Sequence, residues 1–529
     1  MRPPVVSRTA DTLRAARDAL RSPSGDPLAQ DGLGETLRRR SARGAVSTMA
    51  GQWVRLILQI GSTVVLARLI APEEYGLVGM ILALIGIGDA LLNLGLSQAT
   101  VQRRDLNTMH VTFFFWLQAS AGALLTLGTM ALAGAIADFY GQDQLVPLTM
   151  VLATMFLING LAAQHQAVLS RQMRFGVLAL IDLFGLLNGV ILAIVIAALG
   201  GGAWALVAQT LALPVCRLLL SWKASGWRPG PPRKVTGVSG MVRFGLNLTA
   251  TNVLDYSAEN VDNVLIGRFY GAEALGLYSR AYSLLLLPIR QVTEPLARVA
   301  VPVLSLLQGE PERYRRFFTV ALSSVAYVSL PLICLLSALS HEVIAVLLGA
   351  QWAGVAPIFE ILAFAGMIIS LRSTNGWLFV STGQTGRQAA WALVNRPVII
   401  AGIIVGVPWG VTGVAWGLVG AHVVLLVPSF IVAVKGTAVH LLDFWRGTWR
   451  PGVLGAAVYA IGTLVHSKLD AAAWLVIVAG VLSSVVLMAL AMRWWPAVRR
   501  DVHDLIEAFG VAQRARAGRQ EASSRRRPA

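Results

Sequence analysis

The chain has 529 residues, of which 56% are hydrophobic and only 13% are charged. Because a soluble domain carries roughly 25% charged residues, this composition excludes an ordinary soluble globular protein and indicates a polytopic membrane protein. The net charge of +17 does not indicate nucleic-acid binding, because the basic residues gather in the two tails and in alternate short loops.

A basic tail precedes the first apolar stretch. Residues 1–44 hold nine Arg against five acidic residues, and they lack the apolar core that a signal peptide needs. At the other end, residues 493–529 hold nine Arg against four acidic residues. We expect both tails to be cytoplasmic, the first of them disordered, and both to be attracted by anionic membrane lipids.

Between the tails, the apolar stretches predict an all-α polytopic membrane protein. Fourteen transmembrane helices are expected near residues 46–67, 76–97, 111–136, 146–168, 177–198, 202–221, 241–267, 275–303, 317–339, 355–380, 388–407, 411–434, 451–467 and 471–492. They group into an N-lobe of six helices (45–221), a polar inter-lobe loop (222–240), a C-lobe of six helices (241–434) and two C-terminal helices (435–492).

The first and seventh spans open a repeat at an offset of 200 residues, which predicts that the two lobes are pseudo-symmetric. Ala67–Leu77 aligns with Gly267–Leu277, with Arg, Glu, Gly and Leu in register. The helix before each segment carries a matching polar stripe. Its members are Gln52, Arg55, Gln59 and Ser62 in the first copy and Asn252, Asp255, Glu259 and Asp262 in the second. Spacings of three and four residues place each stripe on one helix face.

The loops predict the orientation in the membrane. Loops on the side of the N-terminus contain 17 Lys and Arg residues, and loops on the opposite side contain three. Since basic residues favour the cytoplasmic side, both termini are expected in the cytoplasm and the protein in the cytoplasmic membrane. An even number of spans agrees with this pattern.

Ionisable residues at membrane depth are the candidate functional residues, since each costs roughly 2.5–3.5 kcal/mol to place there. Several arginines suit an anionic passenger, because a guanidinium binds phosphate oxygens in a fork and keeps its charge. The predicted substrate-binding residues are Arg55, Arg280, Arg290, Arg372 and Arg396. Carboxylates suit a coupling cation, either H⁺ or Na⁺. The predicted ion-coupling residues are Asp255, Glu259, Asp262 and Asp89. Arg55 and Asp255, which are equivalent in the repeat, are expected to face each other.

No enzyme motif is recognisable in the chain. A Walker A sequence is missing, and the seven histidines form no metal-binding pair on a helix. Cys216 and Cys334 each lie in an apolar run, where a small buried side chain is the simplest interpretation. We therefore expect neither a catalytic site nor a metal or cofactor.

The sequence resembles the Wzx-like polysaccharide transporter family, the flippases of the multidrug/oligosaccharidyl-lipid/polysaccharide exporter superfamily, over about residues 45–490. The residues that carry the resemblance are Leu66–Leu69, Glu74–Leu77, Asn93–Leu96, Gln102–Arg103, Arg171–Phe175, Trp204–Val207 and Trp227–Pro229 in the first half, and Asp262–Arg268, Gly276–Tyr278, Ala281–Tyr282, Val301–Pro302 and Leu304–Ser305 in the second. The resemblance implies two lobes around a central cavity.

It also implies ion-coupled movement of a polyprenyl-pyrophosphate-linked glycan across the cytoplasmic membrane by alternating access. The expected partners are the lipid-linked glycan, a coupling cation, membrane lipids, and a glycan polymerase and glycosyltransferases. Two alternatives remain open. An ion-driven multidrug antiporter of the same superfamily would leave the last two helices unexplained, and a non-transporting scaffold for glycan assembly would leave the duplicated polar stripe without a purpose.

Overall fold

The structure, a computed structural model, describes residues 54–92, 97, 100–101, 107–232 and 239–503. The predicted tail 1–44 and residues 504–529 of the C-terminal tail lie outside these ranges. Every regular element within them is helical, and no strand occurs there. The helices are α1 (54–69), α2 (Pro72–Leu92), α3 (Thr108–Ala131), α4 (Ala133–Tyr140), α5 (Leu145–Arg171), α6 (Phe175–Ala198), α7 (Ala203–Ala224), α8 (Ser239–Leu306), α9 (Pro311–Ala338), α10 (Ser340–Leu347), α11 (Val355–Arg372), α12 (Asn375–Ser381), α13 (Thr385–Gly406), α14 (Gly410–Val434), α15 (Leu441–Lys468), α16 (Ala473–Trp494) and α17 (496–503).

The described helices include nine stretches long and apolar enough to cross a membrane. One of these, Thr385–Val434, is 50 residues long and contains both α13 and α14, which a short 3₁₀ turn at Val407–Trp409 connects. The predicted class, an all-α multi-pass membrane protein, is confirmed. The predicted total of fourteen spans stays a prediction.

Local sequence explains several of the helix ends. Asn107 caps α3 by accepting a hydrogen bond from the backbone N–H of His110, and the His110 side chain completes a capping box. Pro311 occupies the first turn of α9, where its missing N–H costs nothing. Gly271 interrupts α8 with φ 83° and ψ −177°, a conformation that a side chain would strain. The long helix therefore consists of two arms.

The contacts divide the chain into two compact units, Met1–Gly276 and Leu277–Ala529. The first unit thus includes the arm of α8 before the break. The lobe limits predicted from the sequence, with a loop at 222–240, stay a prediction.

In the first unit, α2 crosses α8 just after the break at Gly271, with almost no space between the backbones. A Cβ atom on Gly76 would lie 1.7 Å from the carbonyl oxygen of Ala272, and one on Gly276 would lie 1.9 Å from that of Pro72. Only glycine permits such an approach. Further along, the hydroxyl of Tyr256 donates a hydrogen bond of 2.9 Å to the carbonyl of Leu82.

Glycine also sets the packing between α3 and α5 in this unit. A Cβ atom on Gly122 would lie 2.5 Å from the carbonyl oxygen of Phe156, and one on Gly160 would lie at the same distance from that of Gln118. Small residues let membrane helices approach closely in this way. The close contact between the two backbones consequently fixes the relative positions of Gln118 on α3 and Asn159 on α5.

In the second unit, α13 packs on α14 through a second set of glycines. A Cβ atom on Gly402 would lie 2.6 Å from the carbonyl oxygen of Gly417, and one on Gly406 would lie 2.1 Å from that of Gly413. Phe364 on α11 stacks on Trp416 of α14, with ring centroids 6.1 Å apart. These contacts position α11, α13 and α14 around the polar cluster of this unit.

Helix α15 is fastened to α9 by an ion pair with two hydrogen bonds. The Nε and Nη2 atoms of Arg315 lie 2.7 and 2.8 Å from the two carboxylate oxygens of Asp443, which also accepts a hydrogen bond from the backbone N–H of His440. Burial alone would raise the pKa of the Asp443 carboxyl, but these hydrogen bonds outweigh burial and lower it.

A second polar contact continues the attachment towards the C-terminus. The carboxylate of Asp501 in α17 accepts hydrogen bonds from Arg450 at 2.8 and 2.9 Å and from the hydroxyl of Tyr327 at 2.7 Å. The last described helices are therefore bound to the second unit at several points rather than at one loop.

Candidate functional site

The first unit contains a half-open polar cavity of about 540 Å³, which we call the amide cavity. It is lined by Asp89, Leu92, Ser97, Val101, Gln118, Asn159, Ala163, Gln166, Ala167, Ser170, Phe175 and Arg217. Its volume falls in the range of about 300–1,000 Å³ found for small-molecule sites. Three of its side chains are amides, and all of its lining residues belong to the first unit.

Asp89, a predicted ion-coupling residue, lies in the wall of the amide cavity. The Nδ2 atom of Asn159 donates a hydrogen bond of 2.9 Å to its carboxylate. Asp89 and Glu259 both interact electrostatically with the hydroxyl of Tyr256. The structure therefore brings together two of the four predicted ion-coupling residues around one tyrosine.

A chain of hydrogen bonds fixes the deeper amide of the cavity. The Nε2 atom of Gln164 donates to Oε1 of Gln118 at 2.7 Å, and the hydroxyl of Thr100 donates to Oε1 of Gln164 at 2.9 Å. Arg171 donates to the backbone carbonyl of Thr100 at 2.9 Å. Because Gln118 and Gln164 are almost completely buried, these bonds define the orientation of both amide groups.

The cationic lining residue of the cavity is already paired. Arg217 forms an ion pair of 2.8 Å with Asp182, and both side chains are about one-third exposed. Its charge is therefore largely balanced, and the cavity offers no net positive charge to an anion.

The second unit contains a cluster of basic groups, Arg372, Arg396 and His422, which we call the basic cluster. The charges of Arg372 and Arg396 repel each other, and both act on the His422 ring. The Nε atom of Arg372 is buried and has no hydrogen-bond partner in the part of the chain that the structure describes. Nδ1 of His422 lies 2.9 Å from the carbonyl oxygen of Leu418, so it carries the proton and donates, which leaves Nε2 for a ligand.

Two arginines whose charges act on each other at membrane depth are stabilised by an anion that binds both. The basic cluster is consequently suited to phosphate or carboxylate oxygens, which guanidinium groups bind in a fork. Two of the five predicted substrate-binding arginines are thus brought together.

The other predicted residues are distributed over both units. Arg55 lies in the first unit and is exposed, whereas Arg280 and Arg290 lie in the second unit, half-buried and exposed. In the first α8 arm, Asp255 is half-buried and Asp262 is 4% exposed. The pairing of Arg55 with Asp255 stays a prediction.

Sequence reasoning missed His422, Tyr256 and Asn159. His422 is one of the seven histidines to which the sequence assigned no role, yet it is 6% exposed and belongs to the basic cluster. Tyr256 lies in the polar stripe region but carries no formal charge, and Asn159 is a single amide in an apolar run. A search for uncharged polar residues at membrane depth would have found the last two.

Comparison with known proteins places the sequence among glycan-assembly proteins. The family described as "Polysaccharide biosynthesis protein" matches residues 65–357. The chain is 30% identical over 304 residues to the teichuronic acid biosynthesis protein TuaB of Bacillus subtilis, covering 57% of this chain and 63% of that protein. It is 24% identical over 442 residues to the lipopolysaccharide biosynthesis protein WzxC of Escherichia coli, covering 82% of this chain and 90% of that protein.

Among solved structures, the fold is similar to that of the lipid II flippase MurJ in an inward closed conformation. The TM-score is 0.69 at 15% sequence identity, and the match covers 85% of this chain and 99% of the other. At this identity the likeness concerns the fold alone. The aligned part of TuaB is less than two thirds of that protein's length, whereas almost all of WzxC is aligned.

Proposed function

The chain belongs to the polysaccharide biosynthesis protein family, and from this premise we propose that it is a flippase for a polyprenyl-pyrophosphate-linked glycan. The substrate is carried across the cytoplasmic membrane by alternating access, with both termini of the protein in the cytoplasm. No bond is made or broken in this process, so the proposed function requires no catalytic residue.

The observation that carries the proposal is the basic cluster. Two arginines at membrane depth each cost several kcal/mol to place there, and binding of an anionic group between them would offset part of that cost. A pyrophosphate group offers two phosphates in the geometry that guanidinium forks bind. The names of the relatives, which concern teichuronic acid and lipopolysaccharide, agree with a glycan attached to that group.

We further propose that a cation, H⁺ or Na⁺, drives the cycle at Asp89 and Glu259. Two carboxylates near one tyrosine hydroxyl can take up a proton or a small cation, and the amide of Asn159 orients one of them. Binding and release of this cation in the first unit would then alternate with binding and release of the anion.

Depletion of the protein in cells tests the main proposal. Mass spectrometry of extracted lipids should show that a polyprenyl-pyrophosphate-linked glycan accumulates, because its transfer to the outer leaflet is blocked. An unchanged lipid-linked glycan pool would refute the flippase. If drug sensitivity rises in place of that accumulation, the multidrug antiporter is the better description.

Variants then connect the function to the basic cluster. Arg372→Gln and Arg396→Gln should lower transport more than they lower protein level, and Lys at either position should restore part of it, since Lys keeps the charge but loses the fork. Arg446→Gln is the matched control, because Arg446 is exposed and lies between the predicted spans. Full transport in both cluster variants would remove the basic cluster from the mechanism.

A further inference from the structure

The amide cavity has a chemistry that the basic cluster does not have. It combines amides from three residues, Gln118, Asn159 and Gln166, with hydroxyls from Ser97 and Ser170. Amides and hydroxyls both donate and accept hydrogen bonds, whereas a phosphate site needs donors and positive charge. The cavity therefore suits a neutral ligand rich in hydroxyl groups.

The charged residues in the cavity wall also favour a neutral ligand over an anion. Arg217 is paired with Asp182, and the other ionisable residue of the wall is Asp89. A carboxylate accepts hydrogen bonds and offers no donor to an anion, whereas two adjacent hydroxyls of one sugar ring can both donate to it. A metal ion held by three or more such side chains is not favoured either, because the described residues contain no group of three or more His, Cys, Asp or Glu side chains arranged to hold one.

One aromatic ring completes the site. Phe175 belongs to the cavity wall and is 55% exposed, although it lies at the beginning of an apolar helix. The flat C–H face of a pyranose ring packs on an aromatic ring, which buries apolar surface on both sides. An aromatic ring beside amides and a carboxylate is the combination that a sugar residue needs.

Two amides are already oriented for a ligand, and one is available. Asn159 is fixed by its bond to Asp89, and Gln118 by its bond from Gln164. The side chain of Gln166, in contrast, makes no hydrogen bond within the described part of the chain, although it is half-buried. Preorganised partners reduce the entropy cost of binding, and an unpaired amide gains the most from a ligand hydroxyl.

We propose that the amide cavity is a subsite for one neutral sugar residue of the transported glycan. Gln166 and Asn159 bind its hydroxyls, and Phe175 packs on its ring. The proposal rests on the flippase function, and it adds that the protein recognises the glycan itself as well as the pyrophosphate that carries it.

The test compares two probes, undecaprenyl pyrophosphate without sugar and undecaprenyl pyrophosphate carrying the glycan extracted from cells depleted of the protein. Native mass spectrometry of the purified full chain measures the binding of each. The wild-type protein should prefer the glycan-bearing lipid by about tenfold, since one or two neutral hydrogen bonds are worth that factor. Gln166→Ala and Phe175→Ala should remove the preference, whereas Phe175→Tyr keeps the ring and should retain it.

Gln144→Ala is the matched control. Gln144 is the residue that precedes α5, the helix of Gln166, and its exposed side chain caps nothing. It should bind both probes as the wild type does. The melting temperature of each variant shows whether it is folded before binding is compared.

The outcomes separate the two proposals. If the wild type binds both lipids but the Gln166 and Phe175 variants keep its preference, the sugar subsite is refuted and the flippase stands. Equal binding of the two lipids by the wild type would also refute the sugar subsite and leave the flippase proposal standing. If the wild type binds neither lipid, the flippase proposal fails and the subsite fails with it.

Discussion

Replacing Gly76 by alanine tests how tightly the α2–α8 crossing in the first unit is closed. The new Cβ atom would lie 1.7 Å from the carbonyl oxygen of Ala272, although ordinary contacts begin at 3.4 Å. The atom that it meets belongs to the backbone and cannot rotate away, so the two helices must separate. Overpacking of this kind costs about 1–3 kcal/mol.

If this crossing opens during the transport cycle, the cost falls on the closed state alone. A difference of about 1–3 kcal/mol changes the ratio of the two states by roughly 5- to 150-fold in favour of the open one. The expected result is therefore a change of population rather than unfolding.

Spin labels at positions 73 and 273 measure that population. Glu73 and Glu273 are equivalent in the repeat, and both are exposed. Double electron–electron resonance, in a background in which Cys216 and Cys334 are replaced by serine, should show a longer-distance population that grows in Gly76→Ala. An unchanged distance distribution would show that the crossing does not open, and the reasoning would be wrong.

Two further variants sharpen this test. Gly128→Ala is the control, because a Cβ atom there would meet nothing within 4 Å. The double variant Gly76→Ala with Gly276→Ala should cost less than the sum of the single variants, because the second methyl group uses space that the first has already opened. Strict additivity would mean that the two glycines do not belong to one crossing.

Three other predictions concern stability, coupling and topology. Asp443→Asn should lower the melting temperature by a few degrees. Because the folded-state pKa of Asp443 is lowered, its stabilising contribution is present above the ordinary aspartate pKa and is lost as the pH falls through the folded value. Glu259→Gln should reduce transport at unchanged protein level and flatten its dependence on pH or sodium in vesicles. A cysteine placed at Asp143 should react with an impermeant reagent in intact cells, and labelling of one at Arg233 would reverse the predicted orientation.

The repeat shows both what the sequence could predict and what it could not. Gly76 and Gly276 fall in register at the offset of 200, so their equivalence is visible in the sequence. Their contact with each other's segments is not visible there, because it depends on how two helices cross, and no local pattern determines a crossing. The helical membrane class and the family resemblance are both confirmed. Both could be predicted because they rest on long apolar runs and on local motifs, which the sequence shows directly.

The candidate sites were predicted less completely. Charged residues at membrane depth could be identified from their cost alone, and this led to Arg372, Arg396 and Asp89. Asn159 was missed because uncharged polar residues are common in membrane helices, and His422 was missed because a lone histidine has no evident role until its neighbours are known. The span count, the orientation and the lobe limits stay predictions.

The α2–α8 crossing at Gly76 and Gly276 also has the form of an interface between identical subunits. In a two-fold dimer, residue i of one copy contacts residue j of the other, and j contacts i in return. Gly76 meets Ala272 and Gly276 meets Pro72, and both pairs obey this rule at the offset of 200. A substitution in one repeat segment therefore alters the packing of the other segment, so the two segments constrain each other's sequence. A gene fusion of an ancestral homodimer would leave this constraint inside a single chain.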